Sequence, residues 1–254
     1  MSAVVSIPPP GQIWLRRLDP LLLIVVALLL WEALSRWTQG VALSGPLATV
    51  AYAGELMRTG RFWDNAGATA AAFGLAFTLS AAFGMLLGLM LGLWRFAGDV
   101  AEPVLAGFYT IPKVTLYPVV LLVFGLGVGA KVAFGVMHGL IPVTLFTVAA
   151  IRNLPPVLPR AARSMGLSPW QTIRWVLLPA CLPQIVAGLR LGFSLSLLGV
   201  LIGEMFSSQR GLGFLLVSGL AQNNVRLSTA IVLVIVVFAI VSNTAMLRLS
   251  RRAG

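Results

Sequence analysis

Residues 160–179 read RAARSMGLSPWQTIRWVLLP and form the longest polar, basic interruption in the second half of an otherwise apolar sequence. We call this segment the basic loop. Gly166 is free to adopt the left-handed backbone conformation that ends a short helix. Ser168 is followed by a proline and, at the third position, by Gln171, which predicts an N-cap with a capping box. The loop is therefore predicted to hold two short helices outside the bilayer, between two membrane segments.

The second of these helices is predicted to be amphipathic and short. Trp170, Ile173 and Leu177 fall on one helical face. Pro179 and Pro183 are expected to end the helix, because proline removes a backbone donor and clashes with the preceding turn. Judged by composition alone, such a segment is usually a solvated loop with an interfacial helix.

Composition identifies an all-α integral membrane protein. The 254 residues are 59% hydrophobic and only 10% charged, which excludes an ordinary soluble domain. The formal charge of +11 comes from basic residues scattered between apolar runs, so it indicates topology and lipid headgroups rather than nucleic acid. The single cysteine, Cys181, excludes an intrachain disulfide and a thiolate metal cage.

The apolar runs predict six transmembrane helices, with the basic loop between the fourth and the fifth. A signal peptide is the alternative for the first run, but no small-residue cleavage site follows it. Residues 1–17 are predicted to form a cytoplasmic tail and residues 18–252 a single membrane domain. The third run is broken by Pro112 and Pro118 around Lys113. The predicted spans are about 18–37, 66–94, 103–126, 131–151, 183–206 and 227–247.

Arginine and lysine are distributed unequally between the two sides of this arrangement. With both termini inside, the inner segments hold ten basic residues and the outer segments six. The positive-inside rule then places both termini and the basic loop in the cytoplasm.

Small residues recur every fourth position along the second span, which predicts a face for close helix approach. One interpretation is a face that slides against a moving partner, and the other is plain tight packing. The row consists of Ala68, Ala72, Ala76, Ser80, Gly84, Gly88 and Gly92.

The basic loop resembles the cytoplasmic EAA loop of ABC importer permeases. That pattern is Glu-Ala-Ala, three residues, Gly, nine residues, then Ile-x-Leu-Pro. At the Glu position this chain has Arg160, which reverses the charge there. The matching residues are Ala161, Ala162, Gly166, Val176 (for Ile), Leu178 and Pro179.

Weaker similarities point to the nitrate/sulfonate/taurine-type branch of these permeases. They occur at residues 111–118, 124–127, 188–190 and 211–213. Ala72 departs from the branch, whose members often carry an arginine near this position.

The resemblance implies a function and partners. Two permease copies, usually identical, would form a path through the bacterial inner membrane. Separate ATPase subunits would dock onto the loop, and an extracytoplasmic binding protein would deliver a small anion such as a sulfonate or nitrate-like solute. The chain would bind no cofactor or metal, and ATP would be used by the partner. The implied coupling residues are Arg160, Ala161, Ala162, Arg163, Ser164, Met165, Gly166, Leu167, Ser168, Pro169, Trp170 and Pro179.

Polar residues inside the spans are candidates for the translocation path, because charges there are costly unless they face a cavity or a partner. Lys113 lies near the middle of its predicted span. It either lines the path and favours an anion, or donates to carbonyls that the nearby prolines leave free. The candidates are Lys113, Tyr117, His138, Arg190 and Glu204.

Two other classes of function compete with a permease. A membrane enzyme would need an acid–base or metal cluster, but His138 is the only histidine and Glu204 the only acid well inside a span. A phosphate loop at residues 125–131 fails, because Ala130 and Val132 replace the glycine and the Ser/Thr beside the lysine. An ATPase-independent channel or secondary carrier tends to show internal repeats, and none is evident here.

Overall fold

The chain is built from helices joined by short turns, and no strand occurs within residues 10–253 of the computed structural model. The structure describes those residues, with side chains from 22 to 248. Two short turns in this part of the chain are not α-helical: a 3₁₀ turn at Lys113–Leu116 and a π-helical turn at Ile173–Leu177. The α-helices are α1 (Pro10–Trp37), α2 (Pro46–Leu56), α3 (Gly60–Leu93), α4 (Arg95–Thr110), α5 (Tyr117–Phe124), α6 (Val128–Arg152), α7 (Val157–Ser164), α8 (Pro169–Thr172), α9 (Leu178–Ser207), α10 (Leu212–Ala221) and α11 (Val225–Ala253).

The core consists of α3, α6 and α9, which have the most extensive mutual contacts in the described chain. The predicted row of small residues on α3 is the face that packs against α6. A Cβ added at Gly84 would meet the Val143 side chain at 2.8 Å and the Leu140 carbonyl at 3.0 Å. The structure therefore shows tight packing at this row. Its buried members, with Thr69 in place of half-buried Ala68, are Thr69, Ala72, Ala76, Ser80, Gly84, Gly88 and Gly92.

Helices α6 and α9 contribute small residues of their own to this contact. A Cβ at Gly139 would collide with the hydroxyls of Ser80 and Ser196, and one at Gly192 would meet the Gly139 carbonyl at 3.1 Å. The two serine hydroxyls lie 3.2 Å apart at the centre of the core. Each buried polar group is thereby satisfied where the backbones approach most closely.

The remaining long helices surround this core. Helices α2, α10 and α11 share a second apolar cluster with the start of α3, and the cluster includes Phe62, Leu215 and Ile231. Helix α1 is held to the turn before α2, where Trp31 Nε1 donates to the Ser44 carbonyl at 2.9 Å. The described apolar side chains of residues 22–30 are exposed, as expected of a helix that faces lipid.

Four described helices are long and apolar enough to cross a membrane, and a bent pair makes a possible fifth. The bent pair joins Arg95–Thr110 to Lys113–Phe124 at an angle of 89°, at the break predicted around Lys113. The first predicted span falls on α1, whose side chains before residue 22 lie outside the described part. Residues 1–9 of the predicted tail also lie outside it, whereas residues 10–17 belong to α1.

Two expected helix boundaries are wrong. Helix α4 starts at Arg95 and continues through Pro103, where the third predicted span was expected to begin. Pro179 and Pro183 do not end a helix, because Pro169–Ser207 is one continuous helical segment. In the π-helical turn the Leu178 N–H donates to the Ile173 carbonyl, five residues back. The α-helical hydrogen-bond pattern restarts after this turn. Pro179 therefore lies in the first turn of α9, where its missing N–H is not needed.

The close contact between α3 and α6 predicts that Gly88→Leu destabilises the protein. A Cβ at Gly88 would collide with Thr147 and lie 3.0 Å from the Thr144 carbonyl. We expect a loss of about 1–3 kcal/mol in the free energy of unfolding in detergent, as is typical of overpacked cores. Gly74→Leu is the matched control on the same helix, since nothing lies within 4 Å of its Cβ position. Equal stability of the two variants would contradict this packing.

Candidate functional site

The first half of the basic loop is a short helix that ends in a left-handed turn. Helix α7 ends at Ser164, and Gly166 then has a φ of +69°, the left-handed conformation predicted for it. The Leu167 N–H donates to the Ala162 carbonyl at 3.1 Å, so the turn closes back on the helix. Ala162 is fully buried, and α7 packs against the π-helical turn at Ile173–Leu177. The loop is thus held in a defined position.

The second half begins with the predicted capping box. The Gln171 N–H donates to Ser168 Oγ at 3.3 Å, and the Ser168 N–H donates to Gln171 Oε1 at 2.8 Å. Both orphan donors at the start of α8 are therefore satisfied within the loop.

The outer surface of the basic loop combines large apolar side chains with arginine. Met165 is 64% exposed, and Trp170 and Trp175 are each 68% exposed. The guanidinium of Arg174 lies 5.8 Å from the Trp175 ring centroid, within cation–π range. Tryptophan, methionine and arginine are the residues enriched at the centres of protein–protein interfaces.

Lys113 lies at the 89° bend between α4 and α5, outside the α3–α6–α9 core. Its side chain is half-buried, its Nζ donates to the Tyr109 carbonyl at 3.3 Å, and it lies 4.9 Å from the Tyr109 ring centroid. This acceptor lies at the end of α4 and is not one of the carbonyls that Pro112 or Pro118 would leave free, those of Phe108 and Val114. No carboxylate pairs with it among the described side chains, so part of its charge faces outward.

Tyr117 and His138 belong to an aromatic contact inside the bundle. The Tyr117 hydroxyl donates to the Gly203 carbonyl at 2.9 Å and also contacts Ser207 Oγ. Phe134 packs edge-on against both rings, and His138 Nδ1 bonds to the Phe134 carbonyl at 2.9 Å. Both side chains are buried, so they hold helices together in this conformation.

The five path candidates do not form one cluster. Arg190 lies toward the end of α9 that carries the basic loop, where its Nε donates to Asn243 Oδ1 of α11 at 2.9 Å. Glu204 lies near the opposite end of α9 and is only 1% exposed.

Glu204 is the centre of a buried polar network that joins four helices, which we call the polar clamp. Lys131 Nζ, in the first turn of α6, pairs with its carboxylate at 3.4 Å. The Thr69 hydroxyl on α3 donates to Oε2 at 2.8 Å, and the Gly213 N–H in the first turn of α10 donates at 3.1 Å. The clamp comprises Asn65, Thr69, Lys131, Glu204 and the segment Gly211–Gly213.

The glycines of the clamp segment are required by the carboxylate. Gly211 has a φ of +129°, and a Cβ there would collide with the Glu204 carboxylate. Its N–H donates to Asn65 Oδ1 at 2.8 Å, and the next N–H donates to Thr69 Oγ1 at 2.8 Å. Glu204 therefore binds at the N-terminus of α10, where exposed N–H groups favour an anion.

The loop end of the core has its own charged contact. Arg152, the last residue of α6, pairs with Asp99 at 2.8 Å and with Glu102 at 3.0 Å, both on α4. Its second terminal nitrogen donates to the Arg95 carbonyl at 3.0 Å. These bonds fix the start of α4 against α6 next to the basic loop.

Sequence reasoning missed the polar clamp. Glu204 was recognised as an isolated intramembrane acid, but Lys131, at the start of the fourth predicted span, was not paired with it. A signal was present, because antiparallel neighbours place the first turn of one helix beside the last turn of the other. Lys131 and Glu204 occupy those positions on α6 and α9.

Comparison with known proteins places the chain among membrane transport components. Residues 80–253 match the family described as the inner membrane component of binding-protein-dependent transport systems. The riboflavin transport system permease protein RibX of Chloroflexus aurantiacus is 37% identical over 188 residues, which cover 71% of this chain and 70% of that protein. The putative aliphatic sulfonates transport permease protein SsuC of Escherichia coli is 32% identical over 208 residues, or 81% of this chain and 79% of that protein.

A solved structure shares the fold. A chain of the methionine ABC transporter MetNI in an inward-facing conformation aligns with a TM-score of 0.64 at 21% identity. The alignment covers 74% of this chain and 93% of that chain. The expected all-helical membrane fold is confirmed by this likeness.

The polar clamp predicts that Lys131→Met is strongly destabilising. Removing the ammonium leaves Glu204 as a buried carboxylate without its cation, which costs about 3–5 kcal/mol in comparable buried pairs. The free energy of unfolding in detergent measures the loss. Lys131→Met/Glu204→Gln should recover much of it, because the charge that needed compensation is gone.

An exposed ion pair provides the matched control for this prediction. Arg36→Met breaks the Arg36–Glu32 pair on α1, whose side chains are 80% and 37% exposed. The expected loss is below about 1 kcal/mol. If Lys131→Met costs no more than Arg36→Met, the clamp does not stabilise the bundle.

Proposed function

Because the chain belongs to the family of binding-protein-dependent transport system inner membrane components, we propose that its basic loop is the surface through which a separate ATPase drives it. The chain is a permease subunit of the ABC importer family. Membership implies an ATPase and a substrate-binding protein as partners.

The exposed surface of the basic loop is the observation that carries this proposal. A loop outside the bilayer gains nothing from exposing Met165, Trp170 and Trp175 to water, whereas a docking partner would bury them. The left-handed turn and the capping box fix their positions, which lowers the entropy lost on binding. Helix α9 starts at Leu178, within the last residues of the loop, so a displacement of the loop is passed to the core.

The orientation follows from this docking role. We place the loop and both termini in the cytoplasm and the protein in the bacterial inner membrane, where ATP is available on the loop side. The segments on the loop side hold ten basic residues and those on the other side six, which supports this placement.

The translocation path is proposed to lie between two copies of the chain. Within one copy, α3, α6 and α9 approach so closely that added Cβ atoms would collide, which leaves no room for a solute between them. The bent arm formed by α4 and α5 lies outside that core and exposes large apolar side chains, among them Leu122 and Val123. A second copy facing this arm would enclose a space between the two.

Lys113 is proposed to line this space and to favour a small anion. It lies at the bend of the arm, and its described contacts leave the ammonium without a carboxylate. The relative SsuC is named for aliphatic sulfonates, which are anions. The relative RibX is named for riboflavin, which is uncharged at neutral pH, so both solutes belong in the test.

Coupling through the basic loop predicts that Gly166→Val abolishes transport without preventing insertion. The φ of +69° at this position is unfavourable for a β-branched residue by about 1–2 kcal/mol, so the turn will shift. Nothing lies within 4 Å of the Cβ position, so the effect is conformational rather than steric. The measurement is substrate-stimulated ATP hydrolysis by the reconstituted transporter.

Gly166→Asn is the matched control, because asparagine tolerates the left-handed region better than valine. It should retain more activity than Gly166→Val. Purified ATPase should bind inside-out vesicles and not right-side-out vesicles. Full substrate stimulation of ATP hydrolysis in Gly166→Val would refute the coupling role. ATPase binding to right-side-out vesicles only would refute the orientation.

The path proposal predicts that Lys113→Met lowers anion uptake about ten-fold, because the anion loses one charge-assisted hydrogen bond. Uptake of labelled alkanesulfonate into proteoliposomes measures it, with riboflavin as the second solute. ATPase association and basal hydrolysis should be unchanged, and Lys113→Arg should keep most of the uptake.

Each alternative has a distinct result. Loss of assembly in Lys113→Met would make the lysine structural. Unchanged uptake of the transported solute would show that Lys113 does not line the path. Transport of riboflavin alone would reject the anion while leaving the permease role intact.

A further inference from the structure

The basic loop carries a uniform charge. Arg160, Arg163 and Arg174 are all exposed, and none of them forms an ion pair among the described side chains. The sequence holds no aspartate or glutamate between Glu102 and Glu204. The loop therefore presents three positive charges and no negative one.

Three described acidic residues, Asp99, Glu102 and Glu204, are already engaged. Asp99 and Glu102 both bind Arg152 at the junction of α4 and α6. Glu204 is buried in the polar clamp near the far end of α9. Within the part of the chain whose side chains the structure describes, no carboxylate balances the charge of the loop.

We propose that the ATPase cleft that receives the basic loop has an acidic rim, and that charge complementarity selects the ATPase that serves this permease. The inference rests on the proposed function of the loop. Charge complementarity across an interface steers association and rejects wrong partners, since like charges placed together repel.

The fixed geometry of the loop favours a protein over lipid headgroups as the source of negative charge. Headgroups are mobile, so arginines that bind them need no set spacing. Here the positions are set by the turn at Gly166 and by the Ser168–Gln171 capping box, and the exposed Trp170 lies among them. Aromatic anchors with arginines around them fit a cleft with an apolar floor and an acidic rim.

Arg160 makes the selection specific to this chain. The pattern that the loop resembles has glutamate at this position, so a cleft that pairs with glutamate there would repel Arg160. The permease is therefore expected to reject an ATPase that serves loops of the glutamate type.

The test measures retention of the partner ATPase on purified permease in detergent at salt concentrations from about 50 to 500 mM. Wild-type retention should fall as salt rises. Arg160→Glu should weaken binding about five-fold, and the variant with Arg160→Glu, Arg163→Glu and Arg174→Glu about a hundred-fold. Arg160→Gln should lie between wild type and Arg160→Glu.

Arg226→Glu is the matched control, because Arg226 is an exposed arginine at the start of α11, at the end of the bundle opposite the basic loop. It should bind the ATPase as the wild type does. A lysine placed at an acidic rim position of the ATPase should restore binding of Arg160→Glu. That rescue is a result that a merely structural effect does not produce.

Three results would overturn the proposal. Binding that ignores salt and charge reversal excludes an acidic rim, although the loop still docks. A loss of membrane insertion instead of ATPase binding in the reversed variants assigns the arginines to lipid headgroups. If wild-type permease retains no ATPase at any salt concentration, the proposed function itself fails.

Discussion

A carboxylate buried among apolar helices must be compensated, and the bundle is arranged around this requirement at Glu204. Lys131 supplies the opposite charge, while a hydroxyl from α3 and an amide from α10 satisfy the remaining acceptors. Withdrawing one of these helices would leave a buried charge without its partner, at a cost of several kcal/mol. The ends of α3, α6, α9 and α10 are therefore constrained to stay together.

Close packing extends this constraint toward the other end of the core. The small residues of α3 and the glycines of α6 and α9 let the three backbones meet, and such contacts repack only in discrete steps. Arg152 then fixes α4 to the loop end of α6. The permease thus divides into a stiff three-helix core and a bent arm, which Arg152 holds to the core near the basic loop and Tyr117 holds to α9 at the other end.

Local chemistry in the sequence was sufficient for the features that depend on neighbouring residues. The left-handed turn at Gly166, the cap at Ser168 and the row of small residues on α3 all follow from backbone preference and periodicity. The docking role of the loop came instead from a resemblance. The pairing of Lys131 with Glu204 was missed, because it depends on the relative depth and rotation of two helices.

The predicted helix boundary at Pro179 was wrong for a related reason. A proline indicates that a backbone donor is missing, but it does not indicate how the chain accommodates that loss. The wide turn at Ile173–Leu177 does so by adding a residue to the helical repeat. The added residue changes the rotational phase of the helix. The angle at which the loop faces outward is offset from the angle at which α9 faces the core, so the loop surface points in a direction that an unbroken α-helix would not give it.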